Sequence, residues 1–161
     1  MADWHRLADE ELARRGRHLV RHGHYSLGAE LLSEYCSRMI ARDRPIGASV
    51  MAFYGLAVGM TGNLQEGLAT CQRALSIDRR SPDIWTALAR LALFSGDRKK
   101  ACDAVARGLA LSPHHTELGE VSQFLGIRRR PAVPFLSRTN PVNVRLGQVL
   151  HRLVGRAKTS A

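Results

Sequence analysis

The chain has 161 residues, 45% hydrophobic and 24% charged. That suits one compact domain of about 100–150 residues, with a core that needs neither disulfides nor metal. The net charge is +10, yet residues 1–126 carry only +2, while residues 127–161 hold eight basic side chains and no acidic one. The longest apolar stretch, Ala48 to Met60, is 13 residues, against the about 20 that a membrane-spanning helix needs. The acidic start around Trp4 lacks a secretory pattern, and three cysteines (Cys36, Cys71, Cys102) form no CxxC pair. The expected setting is therefore reducing and cytoplasmic.

An internal repeat orders the rest. Gly62-Asn63-Leu64 recurs 34 residues later as Gly96-Asp97-Arg98, and Ala74–Asp78 recurs as Gly108–Ser112. A fainter copy, Gly23-His24-Tyr25, lies 39 residues before the Gly62 turn, with five extra residues at Asp43–Gly47. Such a period implies stacked supersecondary units. The first copy, about residues 9–42, places Leu12, Gly16 and Leu19 on one helix and Gly28 and Leu32 on the next, with Arg15 where an apolar residue is expected. The second, 48–81, offers Met51, Tyr54 and Val58, then Leu68, Cys71 and Leu75. In the third, 82–115, Ser81 and Pro82 open a helix carrying Ile84, Trp85, Leu88, Leu91 and Ala92. Ser95-Gly96-Asp97 turns the chain into a helix with Ala101, Ala104, Val105 and Leu109 inward. Residues 116–126 are expected to cap the open end, with Thr116 as N-cap and Leu118, Val121, Phe124 and Leu125 as the apolar face. Residues 127–140 read as a basic, proline-containing linker, and 141–161 as a basic amphipathic helix and tail. No strand is expected.

These spacings resemble the tetratricopeptide repeat. The third copy matches best, through Trp85, Leu88, Ala89, Ala92, Ala101, Val105 and Pro113. The second matches through Met51, Tyr54, Gly55, Val58, Gly67 and Cys71, with Arg79 where proline is usual. The expected fold is all-α: a tetratricopeptide-like helical-hairpin solenoid of three repeats, a capping helix and a basic C-terminal amphipathic helix. The excess of arginine over lysine fits a GC-rich bacterial coding bias.

No catalytic motif stands out, and no cofactor or metal is expected. His18 and His22 share a helix face, but zinc needs more ligands, and His24 sits in a turn. The cysteines read as small core residues. The resemblance implies that the first helix of each pair lines a concave groove. Its lining would be Arg14, Arg17 and Arg21, then Phe53, Leu56 and Met60, then Arg90, Leu93 and Phe94. Such a mixture suits an acidic segment with apolar anchors. Arg17→Glu or Arg90→Glu would then weaken binding without unfolding the chain. The family's clamp for C-terminal carboxylates is not reproduced, since Arg17, Phe53, Asp83 and Ala87 hold its sites. The function expected is a non-catalytic scaffold or adaptor for a protein or peptide partner. A secretion-type chaperone is the main alternative.

For the tail, Arg128, Arg129, Arg130, Arg145, Leu146, Leu150, Arg152 and Leu153 are the contact candidates. Self-docking, a protein partner, a membrane surface and nucleic acid all remain open for it.

Overall fold

The computed structural model describes residues 7–126. The expected linker, the C-terminal helix and the tail residues Arg128, Arg129, Arg130, Arg145, Leu146, Leu150, Arg152 and Leu153 lie outside the described residues. The described residues all fall within the compact unit Met1–Gly126.

Seven helices and no strand occur among the described residues: α1 (Asp9–Arg21), α2 (Tyr25–Ala41), α3 (Ala48–Met60), α4 (Leu64–Ile77), α5 (Pro82–Phe94), α6 (Arg98–Leu111) and α7 (Thr116–Phe124). Helices α1/α2, α3/α4 and α5/α6 form three hairpins, because turns of three residues force antiparallel neighbours. At the turns, Gly62 and Gly96 hold φ of 121° and 77°, a region where a Cβ would be strained. Asn63 and Asp97 then cap the following helices, accepting from Glu66 N (3.3 Å) and Lys100 N (3.0 Å). Ser81 stands at the N-cap of α5 without a side-chain bond, and Pro82 at the first helical position does that work through its fixed φ.

Small residues let the paired helices touch. A Cβ on Gly67 would stand 2.5 Å from the carbonyl oxygen of Gly55 and 2.6 Å from Cα of Gly59. Successive hairpins stack through their first helices, α1 on α3, α3 on α5 and α5 on α7, and through each second helix on the next first one, α2 on α3, α4 on α5 and α6 on α7. Helix α3 is therefore covered on both flanks. Ala52, Phe53, Gly55, Leu56, Ala57 and Gly59 are buried, whereas Met51, Tyr54 and Val58 are only half-buried. The predicted core stripe of α3 thus fell on its less buried side, since a helix that is apolar all round gives no polar face to mark its period.

Helix α7 closes the stack. Leu118, Val121 and Leu125 are buried against α5 and α6. Phe124, expected on that face, is 81% exposed. The N-cap is His115 rather than Thr116: its Nδ1 accepts from Leu118 N at 3.3 Å. Arg98 at the start of α6 donates to the carbonyl of Leu125 and holds the far end of α7.

Candidate binding face

Glu10, Arg14, Arg17 and Arg21 recur at spacings of four, three and four, so they share one face of α1. This stripe runs the length of α1. It borders two different environments, an open cleft at one end and a closed ionic cluster at the other.

The cleft lies between α1, α2 and the start of α3 and encloses about 690 Å³. Ala13, Met39 and Val50 are buried in its floor, and Tyr35 is half-buried beside them. Its rim carries Asp9, Glu10, Arg14, Arg17 and Arg44. Arg14 is bidentate to Glu11, at 2.8 and 2.7 Å. Hydrogen bonds from Arg14 and Arg15 hold the Glu11 carboxyl down at about 2. Asp9 faces Arg38 and Arg42. Arg17 donates Nε to the Ala13 carbonyl at 3.2 Å. Among the described residues neither Arg17 nor Arg44 meets a carboxylate.

The cluster joins four helices that are distant in sequence, α1, α3, α5 and α7. Arg21 passes over the Phe53 ring, 4.9 Å from its centroid. It reaches Asp83 Oδ1 on α5 at 3.2 Å and Glu117 Oε1 on α7 at 2.9 Å. Arg90 stands 3.1 Å from Glu117 Oε2. That oxygen is buried and has an ion partner, but no hydrogen bond of good geometry among the described residues. Ser49 Oγ donates to Asp83 Oδ2 at 2.9 Å, and His115 Nε2 lies 3.5 Å from Asp83 Oδ1. Arg21 and Arg90 thus already face Asp83 and Glu117.

This geometry corrects part of the expected lining. Phe53 and Leu56 are 1% and 0% exposed and belong to the core. Stacking of α1 and α5 on α3 closes over them, and Arg21 covers what remains of the ring. Arg21 and Arg90 are held by intramolecular carboxylates. Arg90→Glu would set a third carboxylate against Glu117 and Asp83, so it is not a clean binding variant. Arg14 and Arg17 do line an open cleft. Met60 and Leu93 are half-buried, and Phe94 is 53% exposed at the end of α5.

The sequence reading missed Tyr35, Met39, Arg44 and Val50. The signal nearest them was the five-residue enlargement at Asp43–Gly47, which carries Arg44 and leads into α3. It also missed Glu117. That residue stands 34 after Asp83, so the repeat register alone places both on one face.

Among the described residues no group of three or more His, Cys, Asp or Glu converges as a metal site. The rings of His18 and His22 lie 4.4 Å apart, tilted by 59°, on the exposed side of α1, and His24 is exposed where α2 begins. All three cysteines are free; burial pushes the Cys36 thiol up to about 11 and the Cys71 thiol to about 12. Both are poor nucleophiles at neutral pH. No described helix is long and apolar enough to cross a membrane.

The sequence matches no protein-family model and no curated protein. The structure is similar to the solved Arabidopsis OM64 TPR domain, with a TM-score of 0.56 and 15% sequence identity. The match covers 74% of this chain and 94% of that one. The fold is therefore an all-α, tetratricopeptide-like solenoid.

Proposed function

We propose that the chain is a non-catalytic interaction module, and that the cleft between α1, α2 and α3 takes an acidic partner segment with a short apolar anchor. One observation carries this reading: an apolar floor of Ala13, Met39 and Val50 lies beneath Arg17 and Arg44, whose guanidinium groups lack carboxylates among the described residues. The anchor would gain from burial, and the arginines would pair with the partner's carboxylates. Arg14, tied to Glu11, contributes mainly its stem and its field. A floor of this size suits one or two side chains rather than the long apolar segment that a secretion-type chaperone holds. Three free thiols support a reducing, cytoplasmic setting.

The test is fluorescence anisotropy with labelled acidic peptides bearing a single Leu or Phe. Arg17→Glu and Arg44→Glu should each weaken binding by roughly tenfold, with strong salt dependence. Replacing the anchor by Ser should cost a comparable factor. Equal affinity of wild type and Arg17→Glu, with both folded by circular dichroism, would reject the cleft as the site.

A further inference from the structure

A second surface lies away from the cleft, at the ends of α4 and α6. Ile77 and Leu111 are the last residues of these helices, 34 apart, and are 61% and 46% exposed. The repeat therefore sets both apolar tips on the same edge of the stack. One helical turn before each stands an arginine, Arg73 and Arg107, again 34 apart. Trp85 joins the two ends. Its indole N–H donates to the Arg79 carbonyl at 3.0 Å, and the Arg107 guanidinium lies 5.6 Å from its ring centroid.

The cations of this edge meet no carboxylate among the described residues. Arg73 donates only to Thr70 Oγ1, at 3.2 Å. Among the described residues, Arg73, Arg79, Arg80 and Arg107 form no ion pair. The nearby Asp78 accepts from the backbone N–H of Arg80 at 2.8 Å. Asp103, four residues before Arg107, is exposed and makes no ion pair among the described residues.

We infer that this edge docks on an anionic lipid surface. Charge excludes two other occupants: residues 127–161 have eight basic and no acidic side chains, and a second copy of the edge is equally cationic. Aliphatic tips and flexible guanidinium groups match the boundary between headgroups and acyl chains. Single-stranded nucleic acid would need free aromatic faces, and the Trp85 ring is already covered by Arg107. The cationic segment 127–161 has the same sign, and on an extended anionic surface two weak basic elements on one chain add.

The experiment is co-sedimentation of the full chain with vesicles of phosphatidylcholine alone or with about 30% phosphatidylserine. Partition onto anionic vesicles only is expected. In the full chain, Arg79→Ala and Arg107→Ala should each lower it about fivefold. Ile77→Ser with Leu111→Ser should lower it further, with circular dichroism unchanged. The loop pair Arg79→Ala/Arg80→Ala alters charge alone and keeps the test sound if a helix variant misfolds. Wild-type partition of the combined variants would place all binding in residues 127–161 and overturn the inference. So would absence of anionic-vesicle binding, or loss of RNA or acidic-peptide binding in the variants while vesicle binding stays intact.

Discussion

Gly67 shows how little room the central hairpin leaves. A Cβ there meets backbone atoms of Gly55 and Gly59 at 2.5–2.7 Å, and backbone cannot swing aside as a side chain can. Gly67→Ala should therefore cost roughly 2–3 kcal/mol, as overpacking that has to part α3 from α4. Gly119 is the opposite case. Its added Cβ meets nothing within 4 Å, and it sits inside α7. Gly119→Ala should gain about 0.5–1 kcal/mol, because alanine loses less backbone freedom in a helix. Urea midpoints of the two variants check both signs at once. A mild effect at Gly67 would mean that the hairpin does not close as tightly as described.

Helix ends and turns were the most legible elements in the sequence. Gly62-Asn63 and Gly96-Asp97 mark turn and cap together, and both caps form. Asn63→Ala should cost about 1 kcal/mol of stability. Asp97 adds a pH dependence: its backbone and side-chain bonds to Lys100 lower its pKa. Glu11 is likewise held at about 2 by Arg14 and Arg15. For such groups the folded value lies below the unfolded one. Their stabilisation is full above the ordinary carboxylate range and fades as pH falls through the folded value. Urea midpoints should thus drop between about pH 5 and about pH 2, and Asp97→Asn, which keeps a cap, should flatten the slope. Less legible were the start of α7, where His115 caps through a ring nitrogen, and the faces of α3, where burial on both flanks erases the periodic pattern. The cleft was half legible. Arg14 and Arg17 followed from the resemblance to the tetratricopeptide repeat, whereas Tyr35, Met39 and Arg44 depend on how α2 and the loop after it pack beside α1.

At the scale of the whole stack, one contact was beyond any local pattern. Arg21 and Glu117 are 96 residues apart in sequence and meet at 2.9 Å because α1, α3, α5 and α7 stack one on the next. This link ties the first helix to the last, with Arg90 and Asp83 between them. Arg21 is partly exposed, so its pair with Glu117 is worth about 0.2–1 kcal/mol. Arg90→Ala should cost more, about 1–3 kcal/mol, since it leaves the half-buried Glu117 carboxylate with one cation fewer. The expected signature is local. Helix α7 has only nine residues and two buried apolar anchors, with Leu125 a third at its C-cap, so it should open before the α3/α4 core does. In Arg21→Ala and Glu117→Gln, amide exchange at Val121 and Leu125 should quicken while that of Cys71 in α4 holds. The double variant should lose less than the sum of the single ones, because both remove the Arg21–Glu117 contact. Additive losses, or exchange that quickens equally in α4 and α7, would show that the two ends of the stack are not joined through this cluster.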